Sequence, residues 1–146
     1  MKLTMNVSPK NGCHSYSECL DILATAGFDA VDFMLNDLVF DSSEMYRSDH
    51  RTYAENIRQE AVRREQTHAP FQFKNWDDPE HFEKVIFPRF ITSLEMSAIM
   101  GAKISVFHPL HYKPYRGNEE EMFRRNMDLF RRLIPYCKEY NVKIGI

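Results

Sequence analysis

Paired cysteines are missing from this sequence. Its three cysteines, Cys13, Cys19 and Cys137, are odd in number and include no Cys-x-x-Cys pair. An odd, widely spaced set of this kind indicates neither a disulfide framework nor a zinc ribbon. We interpret the three side chains as reduced thiols, which predicts a cytoplasmic protein.

Long apolar runs and strong net charge are missing as well. The segment Met1–Met5 has no apolar core of the kind found in signal peptides, and no stretch reaches membrane-spanning length. The net charge of −2 gives no general attraction to nucleic acid or to anionic membranes, so we expect neither as a partner. With 146 residues, 43% hydrophobic and 27% charged, the chain has the composition of a globular protein and predicts a single domain over residues 1–146.

Apolar strand-like segments alternate with amphipathic helical segments along the chain. We predict strands over residues 3–7, 30–35, 66–68, 103–108 and 142–146, with helices between them. Connections that enter the strands are short, whereas the loops that leave them are long and aromatic. This asymmetry is typical of a parallel β/α barrel whose functional face lies at the carboxyl ends of the strands. A complete barrel has eight strands in about 250 residues, so the sequence predicts an incomplete one, with about five strands and four helices.

Local signals predict where the helices begin and break. Ser15 and Glu18 form a capping-box pattern at the start of the first helix, and Asp78 followed by Pro79 is typical of the start of the third. Pro88 falls inside the third helix. It removes a backbone donor there, so we expect a kink or a split.

The second and fourth helices have less distinct limits. A second helix over residues 52–64 leaves almost no turn before the strand at Gln66, so either the helix ends near residue 60 or the turn is shortened. Residues 36–50, which precede it, are predicted as a long loop. The fourth helix starts near Asn118, and apolar residues at steps of four and three predict its buried face: Phe123, Met127, Phe130, Ile134 and Cys137.

Two histidines occupy matching positions at strand ends. His68 is followed by Ala69 and Pro70, and His108 is followed directly by Pro109. Proline cannot donate to a sheet ladder, so each strand stops there and each histidine lies at a carboxyl end. One such histidine is more often a structural residue. Two in matching positions favour a site, because imidazole is the usual metal ligand and proton carrier near neutral pH.

The motifs together resemble a known family. They are Thr-His-Ala-Pro-Phe at 67–71, Met-Gly-Ala-Lys at 100–103, Ser-Val-Phe-His-Pro at 105–109 and the closing Asn-Val-Lys-Ile-Gly-Ile. This combination resembles the xylose-isomerase-like TIM-barrel superfamily, which includes sugar phosphate isomerases and epimerases, inosose-processing enzymes and the endonuclease IV type of AP endonuclease. The resemblance spans the whole chain but only the first half of the family's fold. It implies an α/β protein that forms the amino-terminal part of a TIM barrel.

The resemblance also implies roles for the two histidines. His68 and His108 match histidines that are zinc ligands in AP endonucleases and that line the substrate pocket in many sugar isomerases. Asp32 stands where members often have glutamate. The intact family fold implies a divalent metal (Mn, Mg, Co or Zn), but most of its ligands belong to later strands, so this chain is expected to hold few of them or none.

Three functions stay open at this point. The first interpretation is the amino-terminal part of a divalent-metal-dependent sugar or sugar-phosphate isomerase or epimerase, inactive alone, which acts on a small carbohydrate. In that reaction His68 and His108 are the catalytic candidates. The expected substrate contacts are Phe71, Trp76, Tyr112, Lys113 and Arg116. For the aromatic residues among them, packing within the loops is the alternative interpretation. The second is an AP endonuclease-like zinc phosphodiesterase with His68 and His108 as metal ligands, against which the slightly acidic balance argues. The third is a non-catalytic half-barrel.

Open edges of an incomplete barrel predict self-association. The first and last strands would have unpaired backbone groups and bare apolar side chains, namely Leu3, Met5 and Val7 on one edge and Val142, Ile144 and Ile146 on the other. Soluble proteins usually cover such edges. We therefore expect a homo-oligomer joined through them, or a local rearrangement that covers one edge.

Overall fold

The structure is a computed structural model that describes residues 2–7, 14–47, 49–60, 63–110 and 117–146. The strands are β1 Thr4–Val7, β2 Ala30–Met34, β3 Arg63–His68, β4 Ile104–Val106 and β5 Lys143–Gly145. The α-helices are α1 Tyr16–Thr25, α2 Glu44–Arg47, α3 His50–Gln59, α4 Pro79–His81, α5 Phe87–Met100 and α6 Glu119–Tyr140. A 3-10 helix spans Asn36–Val39, and a π-helical turn spans Phe82–Ile86.

The five strands form one sheet in the order in which they follow in the chain, and every neighbouring pair is parallel. Strands of a β/α barrel follow one another in this way. The fold class predicted from the sequence, an incomplete parallel β/α barrel, is therefore confirmed. Within the described ranges no helix is both long and apolar enough to cross a membrane.

The predicted helix starts are confirmed at Ser15 and Asp78. The Ser15 hydroxyl accepts the backbone N–H of Glu18, and the Asp78 carboxylate accepts two backbone N–H groups at the start of α4, with Pro79 as the first helical residue. One detail of the capping box differs, because the Glu18 carboxylate accepts the N–H of His14 at 2.6 Å instead of that of Ser15.

The second helix takes the first of the two alternatives drawn from the sequence, since α3 ends at Gln59. The third strand begins at Arg63, three residues before its predicted start at Gln66, so that prediction was wrong. The extra strand residues occupy the chain freed by the short helix. The predicted loop over residues 36–50 contains the 3-10 helix and α2. Both segments are short, so they have little periodicity by which a sequence could reveal them.

The disruption expected at Pro88 takes the form of the π-helical turn. Phe87 N–H bonds to the carbonyl of Phe82, five residues earlier, and α5 begins at Phe87 with Pro88 next to it. A π turn lets the helix continue past a residue that has no N–H to donate.

Strand β3 contains a bulge opposite β2. Val31 pairs with Arg64, but the next residue, Asp32, pairs with Gln66, so Glu65 has no counterpart. Side chains alternate between the two faces of a strand, and one extra residue reverses this alternation for the residues that follow.

Contacts on the helix side of the sheet agree with that reversal. Arg64 and Thr67 both meet α5 although they are three residues apart: Arg64 Nε donates to a main-chain carbonyl of α5, and Thr67 Oγ1 lies 2.7 Å from the Ser97 hydroxyl. His68 consequently lies on the opposite face of the sheet, together with Asp32.

The helix-facing side of the sheet is covered by two apolar clusters. One joins β1 and β2 to α1 and α3, around the fully buried Phe33 and Leu35. The other joins β4 to α5 and α6, around Phe90, Phe107 and Leu133. The opposite face, on which Asp32 and His68 lie, therefore stays available for a site.

The face predicted for the fourth helix was right only in part. In α6 the fully buried residues are Leu129 and Leu133, and the predicted Phe130 and Cys137 pack partly buried against the same cluster, whereas Phe123 and Ile134 are 68% and 48% exposed. Apolar side chains occur on two adjacent faces of this helix, so periodicity alone does not tell which of them meets the sheet.

Candidate functional site

The two histidines predicted to share one end of the sheet lie side by side. His68 is the last residue of β3, and His108 follows the end of β4 by two residues. Their ring centroids are 5.5 Å apart, and the ring planes are inclined by 28°. The prediction that both side chains lie at the same end of adjacent strands is confirmed.

The backbone beside His68 is paired on both sides. Its carbonyl accepts the N–H of Leu35 at 2.9 Å, and the N–H of Ala69 bonds to the carbonyl of Val106 at 2.9 Å. The next residue, Pro70, has no N–H, so the ladder stops there as the sequence predicted. His68 is thus placed by the last hydrogen bonds of the sheet.

Asp32 on β2 lies beside His68, and the bulge in β3 brings the two together. The distance from Asp32 Oδ2 to His68 Nδ1 is 2.7 Å, although the ring N–H is not directed at the oxygen. Both side chains are largely buried, with 14% and 18% of their surfaces exposed. Asp32 Oδ1 is also buried and has no hydrogen-bond partner within the described part of the chain. Buried polar atoms are rarely left unpaired, so this corner is suited to a polar ligand or a water.

His108 is more open. Phe71 lies against its ring with the centroids 4.5 Å apart and the His68 ring is stacked beside it, yet the residue as a whole is exposed. Partial desolvation, and after it the proximity of His68, lower the pKa of His108 below its ordinary value. The neutral imidazole is therefore favoured near pH 7.

A cleft of about 660 Å³ opens beside His108. Phe71, Trp76 and His108 line it, together with Gln72, Phe73 and Leu110. Two of the predicted substrate contacts, Phe71 and Trp76, thus lie next to a predicted catalytic residue. The other three, Tyr112, Lys113 and Arg116, lie outside the described residues.

Two asparagines that the sequence analysis did not identify hold the loops around this cleft. Asn36, at the start of the 3-10 helix, is 8% exposed and bonds to Phe71 and Gln72. Asn126, on α6, bonds to Leu110. Asn36 follows a strand exit whereas Asn126 lies within a helix, and their contacts are 35 and 16 residues away in the chain, so no shared sequence signal marks them.

The metal implied by the resemblance is not matched by the residues present. Asp32, His68 and His108 are the nearest candidates, yet the described ranges contain no group of three or more histidine, cysteine, aspartate or glutamate residues arranged to hold a metal ion. A divalent cation in a catalytic site usually has three protein ligands. These side chains therefore do not fit a metal centre by themselves.

Five parallel strands in sequential order, with helices on the outside, form part of a β/α barrel. His68 and His108 lie at the carboxyl ends of two of these strands. The sequence model of the xylose isomerase-like TIM barrel family matches residues 20–146, and the chain belongs to this family. A search of curated proteins gives no match.

Similar solved structures agree with the fold. A D-tagatose 3-epimerase-like protein superposes with a TM-score of 0.72 at 20% identity, over 99% of this chain and 52% of that one. The IolI protein with a bound zinc atom gives a TM-score of 0.70 at 22% identity, over 99% and 50%. D-psicose 3-epimerase in the presence of D-fructose gives 0.69 at 12% identity, over 99% and 51%. The chain thus spans about half the length of each of these structures.

Proposed function

We propose that this chain contributes the amino-terminal part of a sugar or sugar-phosphate isomerase or epimerase site, in which a proton is moved next to a carbonyl group. The observation that carries the proposal is the pair of imidazoles 5.5 Å apart beside a cleft lined by Phe71 and Trp76. Two of the similar structures are described as 3-epimerases or epimerase-like, and one of them was determined with D-fructose.

Each side chain has a role that follows from its surroundings. His108, with its lowered pKa, has a ring nitrogen free to accept a proton or a hydroxyl hydrogen bond near pH 7. His68 is held beside a carboxylate, which suits it to orienting a substrate oxygen. Phe71 and Trp76 offer apolar faces to the C–H groups of a sugar ring. Tyr112, Lys113 and Arg116 remain candidates for further substrate contacts, the last two for a phosphate.

Catalysis by residues 1–146 alone is not part of the proposal. Proton transfer next to a carbonyl needs a base and a cation or equivalent group that stabilises the enediolate. The described residues offer no complete metal-ligand set. We therefore assign the chain a substrate-binding and positioning part and expect no turnover by it in isolation. Metal-dependent epimerisation by the purified chain, abolished by His68→Ala, would contradict this assignment.

A second candidate is an AP endonuclease-like zinc phosphodiesterase, with His68 and His108 as zinc ligands. The adjacent imidazoles favour it, and two similar structures contain zinc or were soaked in it: IolI and the TTHB071 protein from Thermus thermophilus, the latter at 18% identity and a TM-score of 0.69. A net charge of −2 argues against a phosphodiester polymer as substrate.

Self-association is part of the proposal in either case. On the outer edges of the sheet Leu3 and Met5 are 52% and 45% exposed, and Ile146 is 78% exposed, whereas Val7 and Val142 are buried. Bare apolar edges favour pairing with another chain, such as a second copy, in the cytoplasm where we propose that the protein acts. Light scattering across a dilution series tests this; a monomer at every concentration would contradict it.

Trp76 supplies a direct test of sugar binding, because it is the single tryptophan and lines the cleft. We expect its fluorescence to change on titration with D-fructose or D-psicose. His108→Ala should abolish or strongly weaken the response. His81→Ala is the matched control, since His81 lines a different cleft, and it should respond as the wild type does. An unchanged response in His108→Ala, or none in the wild type, would contradict the proposal.

A further inference from the structure

The loops that follow His68 and His108 are both held by hydrogen bonds to asparagine side chains. Pro70 and Pro109 end the two sheet ladders, so the residues beyond them cannot be held by strand pairing. Phe71 and Leu110, the first residue after each proline, nevertheless have their backbone N–H groups bonded, each to an asparagine Oδ1.

Asn36 makes the more extensive set of contacts. Its Oδ1 accepts the N–H of Phe71 at 3.1 Å and that of Gln72 at 3.3 Å, and its Nδ2 donates to Gln72 Oε1 at 3.0 Å. The side chain uses both lone pairs of its oxygen and one of its two N–H donors. Asn36 follows β2, so these bonds join the exit of β2 to the exit of β3.

Asn126 holds the second loop from a different element. Its Oδ1 accepts the N–H of Leu110 at 2.7 Å, and its Nδ2 donates to the carbonyl of Leu110 at 2.7 Å and to that of Met122 at 2.8 Å. The amide therefore replaces both backbone partners that a strand neighbour would have supplied to Leu110.

Asn36 and Asn126 hold different parts of the cleft wall. Phe71, held through Asn36, lies 4.5 Å from the His108 ring, centroid to centroid. Leu110, held through Asn126, lines the same cleft two residues after His108. The aromatic residue that covers His108 is thus itself hydrogen-bonded to a side chain at the exit of another strand.

We propose that Asn36 is a positioning residue that holds Phe71 over His108, and that Asn126 independently positions the opposite loop at Leu110. The inference rests on the proposed function for its biological meaning, since it assigns the walls of the proposed sugar site. Its structural content does not depend on any substrate. With Asn36 replaced, Phe71 should leave the imidazole, and water should gain access to that side of the ring.

Amide hydrogen exchange on the full chain distinguishes the effect of Asn36 from that of Asn126. Asn36→Leu, which keeps the size of the side chain but removes its polar groups, should speed exchange at Phe71 and Gln72 by about tenfold and leave Leu110 unchanged. Asn126→Leu should show the reverse pattern. Asn36→Asp keeps the acceptor, and the Gln72 amide can rotate to donate to it, so protection should be restored.

The ring-current shift that Phe71 imposes on the His108 ring protons, followed by NMR at fixed pH, reports whether Asn36 acts through Phe71. Asn36→Leu and Phe71→Ala should remove this shift to the same extent, and the double variant should change it no further. Unchanged exchange and unchanged His108 ring-proton shifts in Asn36→Leu would overturn the proposal. If that variant fails to fold, the wild type still decides: unprotected Phe71 and Gln72 amides would also overturn it. A chain that binds no sugar would refute the proposed function and leave these results as they are.

Discussion

The strands that carry the two histidines hold them by opposite means. Next to His68, Thr67 is fully buried in a hydroxyl network, donating to Ser105 at 3.0 Å, and Asp32 lies beside the ring itself. Next to His108, Phe107 is buried against Phe90, with centroids 5.4 Å apart, and Phe71 covers the imidazole. One strand end is polar and enclosed, whereas the other is aromatic and open.

This difference teaches that a shared sequence pattern does not imply a shared role. A carboxylate beside one ring nitrogen favours a proton on that nitrogen and so favours one tautomer, which suits a positioning group. An aromatic cover with an open edge leaves the ring accessible and disfavours its charged form, which suits a proton acceptor. Adjacent titratable groups in contrasting surroundings are a common arrangement in acid–base sites.

The aromatic side of the comparison should give the largest effect on stability. Phe107→Ala removes a ring that is 1% exposed, and we expect the free energy of unfolding to fall by about 3–5 kcal/mol. Phe123→Ala is the matched control, because that ring is 68% exposed, and it should change stability by less than ~0.5 kcal/mol. Urea unfolding measures both, and equal losses would contradict the assigned packing.

Substitutions in the polar surroundings of His68 should lower the free energy of unfolding by less. Thr67→Val keeps the shape of the side chain but deprives the Ser97 and Ser105 hydroxyls of a partner, at a cost of about 1–2 kcal/mol. Ser17→Ala, which removes an exposed hydroxyl bonded to Glu60, should cost less than ~0.5 kcal/mol. A loss for Thr67→Val as large as that for Phe107→Ala would remove the contrast between the two strands.

Asp32→Asn should change the tautomer of His68 more than it changes the stability of the fold. The carboxylate beside Nδ1 favours a proton on that nitrogen, and an amide in its place weakens the preference, by about 1 kcal/mol. Imidazole ¹⁵N shifts of His68 report the tautomer. Glu95→Gln is the control, since Glu95 Oε2 contacts His50 at 2.7 Å, away from the site, and His68 should keep its wild-type shifts there.

The smallest expected effect concerns pH. Because the pKa of folded His108 lies below the ordinary value of 6.5, the unfolded chain binds more protons just below that pH. The free energy of unfolding should therefore fall as the pH drops from 6.5 toward the folded pKa, and the contribution is fully present above 6.5. His108 is exposed, so solvent limits the effect to less than ~0.5 kcal/mol. His108→Gln should show a correspondingly weaker pH dependence, and identical curves would contradict the assignment.

Features set by neighbouring residues could be predicted from the sequence. The caps at Ser15 and Asp78, the end of each strand before proline and the sequential parallel order all follow from local chemistry and spacing. The histidine pair could be predicted because both signals lie within single strands. The contribution of Asn36 could not, because its partners lie 35 and 36 residues away. Nor could the most buried positions of α6, Leu129 and Leu133, because it is their place in the cluster around Phe90 and Phe107 that selects them over the other apolar residues of the helix.

The bulge at Glu65 has a consequence for comparing sequences within the family. Strand β3 consists of two segments of opposite phase, so Arg64 and His68, an even number of residues apart, lie on different faces of the sheet. An alignment that runs through residues 63–68 without a gap will match His68 to a helix-facing position in any relative that lacks the extra residue. A single-residue gap at position 65 restores the equivalence, and with it the recognition of the histidine as a candidate site residue.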